Sequence, residues 1–475
     1  MGSDLASMAS MLISATHKSS GKTSLSLGLA AALRMRGCRV QTFKKGPDYI
    51  DPMWLAHASG GPCLNLDFFT MPTAEIQALY RKHRLGADIV IVEGNKGLHD
   101  GVHTDGSNSN AALAKALSLP VILLVDTSGI TRGIAPLVHG YVTFDRDVRI
   151  VGIVLNKVGG PRHEKKLRDA IGYYSDLPVL GAIHRSEDME ITERHIGLTP
   201  SYEDRRANAR IQAIERVISQ SVAIDRILEL TQWAEGPDPL PFAESPVAPG
   251  VRVRIGVARD AAFGFYYPDD LELMGRLGAR IHYFDTISDG ALPDVDALFI
   301  GGGFPEMFLD ELAGNVRLKS EIRRFIESGK PVYAECGGLM YLCRDITCDG
   351  VTRPMVGALG ANARMQSRPA GRGYVQLRET DRHPWPVLGP TASAALPAHE
   401  FHYSRLDCLG EDAEFAYEVV RGVGITDRFD GLVYKNTLAT YTHHRNVGDN
   451  HWVERFVAHI VRCRNEHDHR HKIAL

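Results

Sequence analysis

Residues 11–24 read MLISATHKSSGKTS, an apolar run that leads into Gly21-Lys22-Thr23 and then into a helical pattern. In such a loop, backbone N–H groups wrap phosphates, the lysine neutralises phosphate oxygens and the threonine hydroxyl reaches Mg²⁺. Thr16 stands where the usual pattern has its first glycine. The strand before the loop and the helix after it still predict a phosphate loop, with nucleotide contacts from Ser20, Gly21, Lys22, Thr23 and Ser24.

Short apolar runs alternate with amphipathic segments throughout the first half of the chain. The runs are continuous rather than alternating, as expected for parallel strands buried on both faces. We predict strands at 11–15, 40–43, 88–92, 120–125, 150–155 and 178–182, with helices at 22–36 and 111–117. A second series is predicted at 251–258, 280–284, 297–300 and 332–334. The fold class is therefore α/β, beginning with a doubly wound parallel sheet.

The length of 475 residues exceeds what one hydrophobic core organises. We predict a nucleotide domain at 10–235, a Pro-rich linker at 236–250, a second α/β domain at 251–462 and a polar, His-rich, frayed tail at 463–475. The formal net charge of −3 favours neither nucleic acid nor a membrane surface as a partner. No apolar run is long enough for a membrane span, and the seven cysteines form no regular framework, which predicts a cytoplasmic protein.

Acidic residues follow two of the predicted strands. Asp48 and Asp51 come after the second strand, and Glu93 and Asp100 come after the third. Ligands of open parallel sheets bind at the carboxyl ends of the strands, so these acids are expected to converge near Lys22. Mg²⁺ prefers a few carboxylates together with phosphate oxygens and water. The pattern predicts a magnesium–nucleotide site.

Two further residues follow later strands of this sheet. Asn156 precedes Lys157 after the fifth strand, in a pattern similar to a base-reading element that lacks its acid, and we interpret Asn156 as a weak purine contact. Asp126, which follows the fourth strand, is a weaker candidate for the same nucleotide site.

Residues 331–340 read PVYAECGGLM, a strand that runs directly into Cys336 and then into a helix. Such a turn holds a thiol at the top of a sheet, where helix N–H groups favour the nucleophilic thiolate. Gly302 and Gly303, after another strand, could share an oxyanion hole with the amide of Gly337. His443 is the best candidate for the proton-transfer partner of the thiol. An orienting acid two residues beyond it is missing.

Together these motifs resemble one family, the cobyrinic acid a,c-diamide synthases, over about residues 11–461. The anchors are SSGKT, KGPDYIDP, EGNKGLHDG, GGGFPE, AECGGLMYL, HEFHYS and ATYTH. The resemblance implies a domain similar to dethiobiotin synthetase, fused to a flavodoxin-like class I glutamine amidotransferase domain. It also implies that the family's glutaminase works with a Cys–His pair, so that the missing acid is expected.

The resemblance further implies a reaction. Cys336 would attack glutamine and His443 would transfer protons, while ATP and Mg²⁺ activate a tetrapyrrole carboxylate that the released ammonia amidates. The implied metal ligands are Thr23, Asp48 and Glu93; the acids near the acyl phosphate are Asp51 and Asp100; the substrate loop contains Tyr49 and Ile50. The motif with His399, Glu400, His402 and Tyr403 would support the glutaminase or a domain contact.

The chain departs from the family pattern in one loop. Where the family commonly has EGVMGLFDG, this chain has Asn95, Lys96 and His99. A cation at the substrate edge suits a more carboxylate-rich macrocycle, and Lys96 and His99 are therefore predicted substrate contacts. The variant resembles relatives that amidate sirohaem, which stays open as an alternative substrate beside cobyrinate or hydrogenobyrinate. A simple repacking of the loop also stays open.

Two alternatives of another kind are a partition-type nucleotide-switch ATPase and a degenerate scaffold. The Cys336/His443 pair argues against a switch, which has no use for a glutaminase. The presence of Lys22, Thr23 and Glu93 argues against a scaffold. The partners we expect are a tetrapyrrole and L-glutamine, and we expect neither nucleic acid nor a membrane. We predict a homodimer as the oligomeric state.

Overall fold

The chain divides into two compact units, Met1–Phe242 and Ala243–Leu475, each with its own main sheet. The computed structural model describes residues 8–189, 191, 193–194, 197–198, 206–232, 252–387 and 395–473. The predicted linker at 236–250 lies outside these described residues, so the predicted domain bounds stay predictions. Within the described residues, no helix is long and apolar enough to cross a membrane.

The strands of the first unit are β1 (Ala9–Ala15), β2 (Val40–Lys45), β3 (Cys63–Leu66), β4 (Ile89–Glu93), β5 (Val121–Asp126), β6 (Ile150–Val158), β7 (Val179–His184), β8 (Glu193–Arg194) and β9 (Gly197–Leu198). Its helices are α1 (Lys22–Met35), α2 (Ile50–Ser59), α3 (Thr73–Arg84), α4 (Asn110–Ala116), α5 (Ile134–Phe144), α6 (Pro161–Tyr174), α7 (Ala207–Ser221) and α8 (Ile224–Leu230).

Strands β1 to β7 form one parallel sheet in the order β3-β2-β4-β1-β5-β6-β7. The strand order reverses beside β1, so the carboxyl ends of β1, β2 and β4 meet where ligands of such sheets bind. The predicted doubly wound parallel sheet is confirmed. One strand, β3, was missed, because CLNL is short and has an asparagine, Asn65, inside its apolar run.

The strands of the second unit are β10 (Val253–Ala258), β11 (Phe263–Phe265), β12 (Ala279–Phe284), β13 (Ala297–Ile300), β14 (Gly302–Gly303), β15 (Val332–Glu335), β16 (Asp345–Cys348), β17 (Val351–Pro354), β18 (Asn362–Met365), β19 (Gly371–Glu379), β20 (Leu396–His402), β21 (Ser404–Asp407), β22 (Glu414–Arg421), β23 (Phe429–Tyr434) and β24 (Thr437–Thr440). Its helices are α9 (Pro268–Arg276), α10 (Leu309–Gly314), α11 (Val316–Glu327), α12 (Gly337–Leu342) and α13 (Trp452–Ile473).

The main sheet of the second unit has nine strands in the order β12-β10-β13-β15-β24-β23-β22-β19-β20. The strands from β12 to β24 are parallel, as expected for the α/β class. The strands from β23 to β20 continue the sheet in antiparallel pairing, which the sequence analysis did not anticipate. A smaller sheet contains β17, β16, β18 and β21.

Consecutive residues of β13 and β15 belong to two different hydrophobic clusters. Leu298 and Ala334 pack in one cluster, whereas Phe299 and Tyr333 pack in the other. Because side chains alternate across a strand, both faces of the sheet are covered. The last helix, α13, extends to Ile473, so the backbone is helical through most of the segment that we expected to fray.

Candidate functional sites

The phosphate loop connects β1 to α1, as predicted. Gly21 precedes α1 with a φ of 94°, in the left-handed region that favours glycine. A Cβ atom at this position would lie 2.3 Å from Asn156 Nδ2. The same Nδ2 donates a hydrogen bond of 2.7 Å to the Ser20 carbonyl oxygen. Asn156 therefore braces the loop backbone.

The side chains of the loop have local partners. The Ser20 hydroxyl donates to the His17 carbonyl at 2.8 Å, and the Ser24 hydroxyl donates to the Met189 carbonyl at 2.8 Å. Lys22 is buried, with its Nζ 3.5 Å from the His17 carbonyl oxygen. Burial, together with the charge of Lys44, lowers the pKa of Lys22 to about 8.

Next to the loop, a threonine hydroxyl and two acids converge on a buried lysine. Thr23 Oγ1 donates to Glu93 Oε1 at 2.9 Å and to Asp51 Oδ2 at 3.3 Å. Lys44 Nζ donates to Glu93 Oε1 at 2.6 Å and also to Asp51 Oδ2. Glu93 has no exposed surface, and Lys44 is 3% exposed, so the two charges are held together away from water. Of the four acids predicted to converge near Lys22, Asp51 and Glu93 meet here, around a lysine that the sequence analysis did not assign.

The charges in this cluster shift each other. Asp51 and Glu93 attract Lys44 strongly enough to outweigh its burial and raise its pKa well above the ordinary value. Burial would raise the pKa of Asp51, but Lys44 outweighs it and holds that pKa low. Burial raises the pKa of Glu93 despite the attraction of Lys44. The cluster thus keeps its lysine charged.

Asp48 lies at the edge of this cluster. Its Oδ1 accepts hydrogen bonds from the N–H groups of Ile50 (3.0 Å) and Asp51 (3.1 Å), at the start of α2. Its Oδ2 lies 3.9 Å from Lys44 Nζ. One oxygen of Asp48 therefore caps a helix, and the other faces the charged cluster.

The described residues contain no preformed group of three or more His, Cys, Asp or Glu side chains that could hold a metal ion. Glu93 Oε2 is nevertheless buried, and within the described part of the chain it has no hydrogen-bond partner. A buried carboxylate oxygen without a partner beside a threonine hydroxyl fits Mg²⁺, which completes its shell with phosphate and water oxygens.

The predicted substrate residues differ in exposure. Tyr49 and Ile50 are buried at the start of α2. Asp100 is exposed, and its Oδ2 accepts a hydrogen bond of 2.9 Å from the Gly97 N–H. The negative charge of Asp100 acts on Lys22. Of this group, Asp100 is the side chain open to a ligand.

In the departing loop, Lys96 is exposed whereas His99 is half-buried. The His99 ring packs against Tyr141 (centroids 5.4 Å apart) and Phe144 (4.8 Å), and burial lowers its pKa. Asn95 lies close to Gly46, since a Cβ atom there would be 3.2 Å from Asn95 Nδ2. Two of the three departures therefore pack against the protein, and Lys96 is the one that faces solvent.

Cys336 lies between β15 and α12, on the predicted strand-to-helix turn. It is buried, and its φ of 48° and ψ of −101° form a strained backbone conformation of the kind found at nucleophile turns. The following helix has only six residues.

Glycines are required around this turn because three backbone segments meet there. A Cβ atom at Gly338 would lie 2.1 Å from the Ile300 carbonyl oxygen, and one at Gly303 would lie 1.9 Å from the Ala262 carbonyl oxygen. A Cβ atom at Gly337 would lie 3.1 Å from the Gly303 nitrogen. The backbones of the two predicted oxyanion segments are thus in direct contact.

His443 lies beside the nucleophile. Its ring forms a hydrogen bond with Cys336, and its Cε1 would be 2.6 Å from a Cβ atom at Gly302. Its Nδ1 lies 3.2 Å from Glu335 Oε2. Burial would lower the pKa of His443, but the hydrogen bonds with Cys336 and Glu335 outweigh it and raise that pKa to about 10.

The position two residues beyond His443 holds no acid, as predicted: Arg445 stands there and pairs with Asp269 at 2.7 Å. An acid from another part of the chain contacts the imidazole instead. The acid is Glu335, the residue directly before the nucleophile. The sequence did contain a signal for this acid: Glu335 ends the strand that leads to Cys336 and lies on the same face of it as Tyr333.

The motif at residues 399–404 borders the same site. The His399 ring stacks on His443, with centroids 4.9 Å apart, and the two residues pair through their backbones. Cys336 Sγ lies 4.0 Å from the Phe401 carbonyl oxygen. Burial, together with the charge of His443, lowers the pKa of His399 well below its ordinary value. Glu400 accepts hydrogen bonds from the N–H groups of Val423 and Gly424 and so holds a neighbouring turn.

A buried aspartate, also missed from sequence, fixes the loop that carries His443. Asp430 Oδ1 accepts from the Tyr441 N–H at 3.0 Å, and Oδ2 accepts from the Thr442 N–H at 2.9 Å. The side chain has no exposed surface. Its position in β23, remote in sequence from the histidine, gave no local signal.

Comparisons with known proteins agree with this division into two sites. Residues 11–198 match the CobQ/CobB/MinD/ParA nucleotide binding domain, and residues 254–450 match the CobB/CobQ-like glutamine amidotransferase domain. A cobyrinate a,c-diamide synthase from Magnetococcus marinus is 44% identical over 93% of this chain and 95% of its own. Proteins of the same name from Methanosarcina barkeri (41% identical, 91% of this chain and 92% of theirs) and Archaeoglobus fulgidus (37%, 94% and 96%) are also similar.

A nucleotide-binding domain joined to a glutamine amidotransferase domain defines a glutamine-dependent, amide-forming ligase. Identity at this level over nearly the whole chain is specific enough to go further. The chain belongs to the family of the cobyrinate a,c-diamide synthases. The alternatives of a nucleotide switch and a degenerate scaffold are set aside by this membership.

Proposed function

We propose that this protein uses ATP and glutamine to convert the a- and c-acetate carboxylates of a modified tetrapyrrole into amides. The observation that carries the proposal is the 44% identity to a cobyrinate a,c-diamide synthase over 93% of the chain. The geometry supports it because each unit has an arrangement suited to one half of such a reaction.

In the glutaminase half, the Cys336 thiolate attacks the side-chain carbonyl carbon of glutamine and forms a C–S bond. His443 is protonated at neutral pH because its pKa lies near 10. It gives a proton to the amide nitrogen as the C–N bond breaks, and ammonia leaves. The neutral imidazole then takes a proton from water, which attacks the thioester and releases glutamate. The hydrogen bond between the two side chains supports this assignment.

The oxyanion of each tetrahedral intermediate is assigned to backbone N–H groups of Gly302, Gly303 and Gly337. Such donors are effective because they are fixed before charge develops. The proposal is supported by the contact between Gly303 and Gly337 and by the place of Gly302 against the imidazole. Larger residues at these positions would separate the segments.

In the ligase half, the loop at 20–24 holds the ATP phosphates, and Lys22 neutralises them. Thr23 and Glu93 would hold Mg²⁺, with Asp48 at the edge of the site; the buried Glu93 Oε2 and its distance from bulk water support this. When bound, the metal would withdraw charge from the transferring phosphate. Lys44 Nζ forms ion pairs with Asp51 and Glu93 and so offsets part of the negative charge that these carboxylates place beside the phosphates.

The chemistry requires that the carboxylate be activated, since a carboxylate is a poor acyl donor. A carboxylate oxygen of the substrate attacks the γ-phosphorus, ADP leaves, and an acyl phosphate forms. Ammonia then attacks the acyl carbon and phosphate leaves. Asp51 and Asp100 are assigned to the surroundings of this intermediate. Asp100 is exposed and its charge reaches Lys22, which supports that assignment.

The substrate is tested by incubating the enzyme with ATP, Mg²⁺ and glutamine, together with cobyrinic acid in one reaction and sirohaem in another. Mass spectrometry follows each exchange of OH for NH₂. We expect two exchanges on cobyrinic acid. Exchange on sirohaem alone would select the alternative substrate, and absence of exchange on either would contradict the proposal. The sirohaem alternative now depends on Lys96, since Asn95 and His99 pack against the protein.

A further inference from the structure

Glu335 is the last residue of β15 and directly precedes Cys336. It is 2% exposed. In the parallel pairing of β15 with β24, it lies opposite Thr440, three residues before His443. The sheet itself therefore brings this carboxylate to the segment that carries the imidazole.

Three protein groups contact the Glu335 carboxylate through hydrogen bonds. Oε1 accepts from the Tyr333 hydroxyl at 2.6 Å and from the His444 N–H at 3.0 Å. Oε2 faces His443 Nδ1 at 3.2 Å. A buried carboxylate that accepts hydrogen bonds from several donors is held in one orientation. The Tyr333 hydroxyl and the His444 N–H both bind Oε1, which leaves Oε2 available for the imidazole.

This contact decides which way the imidazole faces. Because Nδ1 faces Glu335, Nε2 is the ring nitrogen left for the hydrogen bond with Cys336. His399 stacks on the same ring at a centroid distance of 4.9 Å and restricts its tilt. The ring is thus fixed along its edge by a carboxylate and on its face by a neutral imidazole.

We infer that Glu335 is the positioning residue of the glutaminase and completes a Cys336–His443–Glu335 triad in which the acid precedes the nucleophile in sequence. The inference rests on the proposed function, since it assigns a role within the glutaminase half. Glu335 orients His443 and stabilises the imidazolium, and it exchanges no proton with substrate. Arg445, which stands two residues beyond His443, forms an ion pair with Asp269.

The test compares Glu335→Gln with the wild-type enzyme in three assays. These are glutamine hydrolysis across a pH series, amidation with ammonium in place of glutamine, and the rate of Cys336 alkylation by iodoacetamide across the same pH series. We expect the kcat for glutamine to fall about 10²-fold or more. The alkaline limb of the pH profile and of the alkylation rate should move to lower pH, while ammonium-dependent amidation stays within about twofold.

Asp296→Asn is the matched control. Asp296 precedes β13 at the opposite ends of the strands and accepts a hydrogen bond of 2.8 Å from the Arg254 N–H, so it is a carboxylate of the same unit remote from the thiol. This variant should keep the wild-type pH profile.

An unchanged pH profile and alkylation rate in Glu335→Gln would overturn the inference. If Glu335→Gln also loses ammonium-dependent amidation, Glu335→Asp is measured in the same assays. An alkaline limb that returns towards the wild-type position supports the role of the charge. A pH profile identical to that of the Gln variant overturns the inference. A Cys336→Ala variant that still uses glutamine would instead contradict the proposed function itself, so the two failures are distinguishable.

Discussion

The two candidate sites differ in how complete they are before any ligand binds. In the second unit, the thiol, the imidazole and the carboxylate already contact one another, and each is buried. In the first unit, Lys44 forms ion pairs with both Asp51 and Glu93, and one oxygen of Glu93 is left without a hydrogen-bond partner among the described residues. The comparison teaches that the fold itself brings the groups of the thiol site together, whereas the proposed phosphate site keeps a buried carboxylate oxygen for its ligand.

The largest effect that tests this division is expected from Cys336→Ala. Loss of the nucleophile should lower glutamine-dependent amidation by about 10⁴-fold or more. Amidation with added ammonium should remain within about twofold of wild type, because the nucleotide site is unchanged. Product formation with each nitrogen donor is measured by mass spectrometry. Loss of both activities would show that the sites do not divide the reaction as we propose.

A smaller effect is expected from Glu93→Gln. The variant removes a carboxylate from the phosphate site and leaves Lys44 with one fewer partner, so ATP-dependent amidation should fall on the order of 10²-fold. Glutamine hydrolysis should continue. Asp88→Asn is the control, since Asp88 lies at the other end of β4 and pairs with Arg39 at 2.9 Å on the surface. Equal activity of the two variants would remove Glu93 from the site.

The smallest effect concerns pH. Because the pKa of Lys22 is lowered to about 8, its charge is present below that value and is lost above it. Nucleotide affinity should therefore weaken by up to about tenfold for each pH unit above 8. His443, with a pKa near 10, stays charged over the same interval. Isothermal titration with MgATP from pH 7 to 9.5 measures the change.

Lys22→Arg sharpens the same comparison, since a guanidinium keeps its charge throughout this range. Whatever its absolute affinity, this variant should show no such pH slope. A slope equal to that of the wild type would assign the pH dependence to another group.

Sequence reasoning could place the phosphate site because its residues follow strands of one parallel sheet. Once β1, β2 and β4 were recognised as buried strands, Thr23, Asp51 and Glu93 had to meet at one edge. The positive charge at the centre of this cluster was not predictable in the same way. Lys44 is part of β2, and nothing in a linear pattern shows that its long side chain ends between two carboxylates rather than in solvent.

The thiol site was predicted in part. Cys336 and its glycines form a local pattern, and His443 was the best candidate among twenty histidines. Glu335 was missed because it lies beside the cysteine and far in sequence from the histidine that it contacts. The antiparallel strands β19 to β23 were missed because their sequences mix polar and apolar residues on a sheet whose other half reads as buried parallel strands.

Glu335 and Cys336 are consecutive residues, so two adjacent codons encode both groups. A single crossover anywhere between codons 337 and 442 would leave this dipeptide intact and take the histidine segment, with the rest of the chain after it, from the other parent. Chimeric genes assembled from relatives would therefore inherit the acid with the sulfur, and their success would depend on how well the foreign loop seats its imidazole.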